Sequence, residues 1–318
     1  MPSLRRTTQL EITPIPPFNF RLTVRKPAGW ELFTPEEVFE DETLWTGIRF
    51  EGLPLGLKIQ SQGTIERPKV LVGVYSARSM SPQTREKLRA ILGLCLGADQ
   101  DLRDFYSFAM KDEILRHVVE SLYGMHDTQA FALFNSVILS ICLQMARLKR
   151  SQDMMSAINA KYGETIQFDG RRIVLQPTAE RVAKLKPASL AKECNLGYRA
   201  KYIVGAAKMI TDGFPTMSEI MIMEPEEAKE KLTELPGVGD YAADIINPHA
   251  GFPIDAWSVD VFGTLFFGKP PANRRDEIER VKREGIRRWG RWSWMAFFYI
   301  AQDLQNLSKR LGVKLRLE

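Results

Sequence analysis

Two glycines one residue apart, Gly237 and Gly239, and a carboxylate sixteen positions after the second, Asp255, are the residues whose types and spacing best suit chemistry. Glycine permits positive φ and close backbone approach. In LPGVGD the N–H groups of Gly237, Val238, Gly239 and Asp240 can therefore point outward together at the start of a helix. Such an array, with a helix dipole behind it, is an anion site, and a nucleic-acid phosphate is its usual occupant. Asp255 adds a second chemistry. A carboxylate brought close to a polyanion is electrostatically expensive, so its presence beside a phosphate grip points to catalysis. Two plainer readings use the same residues: an ordinary bend between helices, and an aspartate that only caps the next helix.

The hairpin needs a helix on each side. Residues 225–235 are amphipathic behind Pro225, and 241–246 are apolar and helix-compatible. Pro248 limits the second helix, and Gly251-Phe252-Pro253 forces an extended approach into Asp255. AWSVDVFGTLFF then runs as a helix up to Gly268, with Asp255 placed at its N-cap.

Before this stretch the chain changes character once. Over the first eighty residues, 18–24, 44–50 and 55–59 alternate apolar and polar and 69–74 is more continuously apolar, with Ala28-Gly29, Glu51-Gly52 and Gln62-Gly63 as breaks. That is an antiparallel sheet. From Ser81 the period is helical: 81–96 with Ser81 as N-cap and Pro82 in the first turn, then 101–109, 112–123, a central helix over 128–150, and 153–162. A small hairpin is expected over 164–175 around Asp169-Gly170, and a helix over 198–211 with Arg199 and Lys201 near its start. The expected fold is α+β: an N-terminal antiparallel β subdomain over 1–80, then an all-α helical bundle over 81–318 with a helix-hairpin-helix motif at about 225–247.

Composition sets outer bounds. A chain of 318 residues with 44% hydrophobic content can bury substantial cores. Lysine and arginine outnumber aspartate and glutamate by 44 to 39, a net charge of +5, which suits a polyanionic partner without requiring one. Cys95, Cys142 and Cys194 are scattered with no Cys-x-x-Cys pair, against a disulfide framework, a four-cysteine cluster or a structural zinc site. No apolar run has membrane-spanning length, and the first residues lack the apolar core of a signal peptide, so the chain is expected to be intracellular, in the cytoplasm or nucleoid if its source is prokaryotic.

With these residues on the page, the sequence resembles the helix-hairpin-helix DNA glycosylase superfamily. LPGVGDYAADI is similar to its hairpin and FPIDAW to the approach to its catalytic aspartate. The N-terminal sheet, CNLGYRAKYI at 194–203 and WGRWSWMAFFYIAQDL at 289–304 are similar to segments of the 3-methyladenine DNA glycosylase II and 8-oxoguanine glycosylase branches.

The resemblance implies two helical subdomains flanking a cleft, and a reaction: release of a damaged base flipped out of double-stranded DNA, in base excision repair, by a monomer with no organic cofactor or catalytic metal. It leaves room for a monovalent cation at the hairpin. Members that also cut the backbone carry a lysine two positions after the second hairpin glycine; here Tyr241 stands there, with no amine to form an imine. The expected enzyme is therefore monofunctional, a hydrolase of N-glycosyl bonds acting on an alkylated, deaminated or oxidised base, with the first two favoured. No cysteine follows Cys194, which excludes the C-terminal iron–sulfur loop of some relatives.

Asp255 is the expected catalytic carboxylate, stabilising the oxocarbenium-like sugar and orienting or deprotonating the water. Asp255 follows Tyr241 by 14 positions, whereas Asp260 follows Tyr241 by 19, and the family's separation favours the longer interval, which makes Asp260 the rival. Tyr241, Trp257, Trp292, Trp294 and Phe298 are candidates for a base pocket, although aromatics at helix spacing are more often core. The turn at 140–144, where relatives insert a wedge, makes Cys142 and Leu143 candidates for filling the vacated gap. His249 is a candidate phosphate contact, and the basic residues Arg287, Arg288, Arg291 and 147–150 could track the DNA backbone. His117 and His126 have no recognisable ligand partner. Two alternatives stay open: a non-catalytic DNA-binding protein, and an 8-oxoguanine-type glycosylase/lyase using another lysine.

Overall fold

Local hydrogen bonding and one-sided burial decide the N-terminal elements. The computed structural model describes residues 3–28, 36–146, 148–247 and 251–315. Among them, β1 (Arg5–Ile12), β2 (Val38–Glu40), β3 (Thr43–Phe50), β4 (Leu53–Ser61) and β5 (Val70–Ser76) form one antiparallel sheet in the order β1-β5-β4-β3-β2. β3, β4 and β5 match the expected runs. β1 escapes a reading by alternation because Leu10 and Ile12 are its only buried residues. β2, with three residues, is too short to show a period.

The run at 18–24 is a helix, α1 (Phe20–Val24), rather than the strand expected there. Its period-two pattern also puts Phe20 and Val24 four apart, on one face of a helical turn, and both are buried. Asn19 settles the choice. Its Oδ1 accepts the Leu22 N–H at 3.1 Å, an N-cap that starts the turn.

Both faces of the sheet are covered. On one, α2 (Pro82–Cys95), capped by Ser81 as expected, packs Leu88, Leu92 and Cys95 into a core with Leu55, Leu57 and Ile59. On the other lie β6 (Glu164–Phe168) and β7 (Arg171–Leu175), the hairpin expected around Asp169-Gly170, which bury Ile166, Phe168, Ile173 and Leu175 with Trp45 and Tyr75. Asp169 fastens this hairpin, accepting from Trp45 Nε1 at 2.7 Å and Tyr75 OH at 3.0 Å. The approach is close because Gly47 and Gly56, paired across β3 and β4, have no side chain. A Cβ on Gly56 would sit 2.4 Å from the Phe168 ring. Gly56→Ala is expected to cost ~1–3 kcal/mol by overpacking, read as a lower thermal midpoint with an unchanged far-UV spectrum.

The helices that follow are α3 (Arg103–Ala109), α4 (Leu115–Ser121), α5 (Leu133–Leu143), α6 (Leu148–Tyr162), α7 (Ala179–Ala183), α8 (Pro187–Glu193), α9 (Arg199–Thr211) and α10 (Met217–Met221). Then come α11 (Pro225–Thr233), α12 (Asp240–Ile246), α13 (Ser258–Phe267), α14 (Arg274–Trp289), α15 (Ser293–Gln302) and α16 (Leu304–Leu311). The single helix expected over 128–150 is two, α5 and α6. Gln144 leaves the helical region at φ −55°, ψ 120°, and Met145 sits at φ 51°.

The chain divides into two compact units. One comprises Met1–Asp104, Tyr123–Phe131 and Ser156–Arg181, so the unit containing the sheet extends past residue 80 to include α2 and the β6–β7 hairpin. The other comprises Phe105–Leu122, Ala132–Met155 and Val182–Glu318, and holds every element of the candidate site. Among the described residues no helix is long and apolar enough to cross a membrane.

Candidate active site

α11 and α12 are the two helices of the hairpin. Proline at the first position starts α11, and Ala228 and Leu232 bury its inner face. Between the helices Val238 donates its N–H to Leu235 O at 3.0 Å, and Gly237 takes φ 82° with Tyr202 beneath it. A Cβ on Gly237 would sit 2.5 Å from Tyr202 Cβ, so glycine is required twice over, by conformation and by space. The amide row is thus shorter than expected. Val238 is buried and spends its N–H inside the turn, whereas Gly239 and Asp240 are exposed. Gly239 is the N-cap of α12, and nothing lies within 4 Å of where its Cβ would be.

Asp255 stands three residues before α13, whose N-cap position is Trp257 rather than the Asp255 expected, and its side chain caps the turn that leads into the helix. Its Oδ1 accepts the N–H of Trp257 at 3.0 Å, the N–H of Ser258 at 2.8 Å and the Ser258 hydroxyl at 2.8 Å, while its own N–H donates back to Ser258 Oγ at 2.8 Å. Every one of these bonds to the carboxylate ends on Oδ1. Oδ2 is left without a hydrogen-bond donor among the described residues. Tyr241 lies within electrostatic reach: burial pushes its phenol up and the Asp255 carboxylate adds to that, so the hydroxyl stays protonated. Asp260 is differently placed. It is only 5% exposed, and Arg274 takes both its oxygens, Nε to Oδ1 at 2.9 Å and Nη2 to Oδ2 at 2.7 Å. That pairing ties α13 to α14 and suits an anchor.

An ion cluster that the sequence does not announce fixes α12 in place. Lys229 of α11 contacts Asp240 at 2.5 Å and Asp244 at 2.7 Å, and Lys282 of α14 pairs with both aspartates as well. Asp244 is wholly buried. Burial pushes its carboxyl up against the pull of the two lysines, whereas the more open Asp240 is held below the usual carboxylate range by the same lysines despite the desolvation it suffers. Gly251, at φ 124°, rests on this carboxylate; a Cβ there would sit 2.5 Å from Asp244 Oδ1. The cluster therefore links the second hairpin helix to the start of the approach to Asp255. Asp240 and Asp244, one helical turn apart, were its only local signal; the lysines carry none.

Phe252, next in that approach, is buried against Phe262 at 4.9 Å, Trp289 at 5.6 Å and Phe297 at 5.8 Å, and presses on Gly285. Of the aromatics proposed for a base pocket, Trp257 is half-buried and donates to Asp255. Trp294 stacks on Phe297 and Phe298, and Phe298 is buried there in the core. Trp292 packs against Phe105 at 5.6 Å with the Arg291 guanidinium over its ring. Arg287 and Arg288 are both engaged by Glu284. His249 and Arg147 lie outside the described residues. His126 is buried with its ring nitrogens against Gly97 O and Pro17 O.

Cys142 and Leu143, the residues expected to enter a gap in DNA, are both buried. Desolvation pushes the Cys142 thiol up to about 12. The side chain that the turn presents is Met145, 75% exposed at φ 51°. Helical periodicity hid it, because the pattern ran on through a turn that contains neither glycine nor proline. Among the described residues no group of three or more His, Cys, Asp or Glu side chains could hold a metal ion.

No known protein-family description matches the chain. It is 24% identical over 230 residues to the DNA-3-methyladenine glycosylase of Bacillus subtilis, covering 70% of this chain and 74% of that protein. A protein of Methanothermobacter thermautotrophicus named "Probable N-glycosylase/DNA lyase" is 26% identical over 292 residues, 84% of this chain and 86% of the relative. Among solved structures, the 3-methyladenine DNA-glycosylase of Archaeoglobus fulgidus superposes with a TM-score of 0.73 over 96% of this chain and 100% of its own, at 21% identity. All three are named for DNA glycosylase activity, the activity of the superfamily that LPGVGDYAADI and FPIDAW resemble.

Proposed function

We propose that the chain is a monofunctional DNA N-glycosylase that hydrolyses the bond between a damaged base and its sugar in duplex DNA. The observation that carries this is the Asp255 carboxylate, pinned through Oδ1 before α13 with Oδ2 unengaged among the described residues, within electrostatic reach of a protonated Tyr241 and one short helix from the hairpin. Gly239 and the first turn of α12 hold a backbone phosphate. Asp255 stabilises the positive charge that develops on the sugar as the base departs, and orients the water that attacks C1′, leaving an abasic site. Tyr241 occupies the position of the lyase lysine in the family resemblance and offers no amine, which supports hydrolysis alone. Base extrusion leaves a gap, and Met145, exposed on its turn, is the side chain suited to fill it. The Bacillus subtilis and Archaeoglobus fulgidus relatives are named for 3-methyladenine, which favours an alkylated base.

A panel of duplexes carrying 3-methyladenine, hypoxanthine, uracil or 8-oxoguanine tests this reading. An alkylated or deaminated base is expected to be released, with strand breaks appearing only after alkaline heating and no covalent adduct after borohydride. Binding without release from any duplex would identify a non-catalytic DNA-binding protein. A borohydride-trapped adduct would assign lyase chemistry to another lysine.

A further inference from the structure

A helix ends in carbonyls that have no partner within it, and at the end of α5 each carbonyl from Ile141 to Gln144 is taken. Arg199, 5% exposed on α9, donates Nε to Ile141 O at 3.2 Å and Nη2 to Gln144 O. Ser151 Oγ donates to Cys142 O at 2.9 Å, and the Ala146 N–H to Leu143 O at 3.2 Å. This is a fully bonded end, and it carries Met145 in the left-handed region. A non-glycine residue persists there only when its surroundings over-determine it. Gln144 extends the fastening, because its Nε2 donates to Gly237 O in the hairpin at 2.6 Å. Tyr202, against which Gly237 is pressed, stands one helical turn beyond Arg199 on α9. One helix therefore backs both the exposed methionine and the hairpin.

We infer that Gln144 and Arg199 are positioning residues that make the Met145 turn and the phosphate hairpin one mechanical unit, so that a hairpin seated on the DNA backbone delivers Met145 to the gap left by an extruded base. The inference rests on the proposed glycosylase reading. The hydrogen bond from Gln144 to Gly237 O transmits the position of the hairpin to the turn, and Arg199 keeps the turn from relaxing into a longer helix. Without the Gln144 donor the hairpin still grips phosphate, but Met145 is no longer held in register with it.

Fluorescence anisotropy on two duplexes, one undamaged and one with a tetrahydrofuran abasic analogue, tests the coupling without any need for cleavage. The wild type is expected to prefer the abasic duplex by roughly tenfold, the scale of one buried side chain, and Met145→Ala to lose that preference. Gln144→Met keeps the size of the side chain and removes the donor. It is expected to lose the preference as fully as Met145→Ala while binding the undamaged duplex as the wild type does, and the double variant to lose no more than either single one. Arg199→Lys, which keeps the charge but not the fork that reaches two carbonyls, should fall between. A Gln144→Met variant that keeps the preference, one that loses affinity for both duplexes equally, an additive double variant, or a wild type with no preference each overturns the inference. Base release separates this outcome from the broader reading: a wild type that shows the preference but releases no base leaves the coupling standing and removes the glycosylase.

Discussion

Replacing Asp255 by asparagine is expected to lower base release by about 10²–10⁴-fold or more while folding and DNA binding persist. Asparagine is as good an N-cap as aspartate, so its side-chain oxygen can still accept from Trp257, Ser258 N–H and Ser258 Oγ. What disappears is the negative charge that the proposed reaction sets beside the sugar. The variant therefore isolates chemistry from architecture, which an alanine at this position would not. Asp260→Asn is the matched control and should behave in the opposite way. It breaks a two-bond pair with Arg274 at a buried site, so the thermal midpoint falls and base release per folded molecule survives. Single-turnover base release, read beside thermal unfolding, distinguishes them. An Asp260→Asn variant that folds with full stability and releases no base, beside an active Asp255→Asn, would exchange the two roles.

Asp244→Ala is expected to cost ~3–5 kcal/mol, because it leaves Lys229 and Lys282 sharing only Asp240 beside an emptied buried site and removes the support under Gly251. In a chain of this size that lowers the thermal midpoint by roughly 10 °C. Removing the excess positive charge as well, in Asp244→Ala combined with Lys229→Met and Lys282→Met, should recover part of the loss, since apolar replacement of a buried ion pair is often neutral. Differential scanning calorimetry of the single and triple variants provides the comparison. If the triple variant is less stable than the single one, the lysines contribute elsewhere and the cluster does not act as described.

The parts of this fold that were legible are those whose cause is local. Gly237 names a hairpin because glycine is needed there, by conformation and by space, and Asp255 names a helix start because its carboxylate reaches N–H groups two and three residues on. Ser81 and the Asp169-Gly170 turn were legible for the same reason. Failures occur where a distant group decides. Arg199 terminates α5 from 55 residues away in sequence, Gln144 meets Gly237 across 93, and Lys282 meets Asp244 across 38. No local pattern carries such pairings. α1 is a different failure, since Phe20 and Val24 satisfy both periods and only the Asn19 cap distinguishes them. Asp255 against Asp260 was a question of spacing in the sequence and becomes one of occupancy in the structure: Arg274 holds both oxygens of one, and the helix start holds a single oxygen of the other.

The three donors that converge on Asp255 Oδ1 also have a thermodynamic meaning. A free carboxylate swings about two torsions, and aligning it with a reacting sugar would cost entropy at every turnover. Here Trp257 and Ser258 hold that rotor when α13 forms, so the orientation is settled once, at folding, and in the proposed reaction Oδ2 would meet each substrate from a fixed direction.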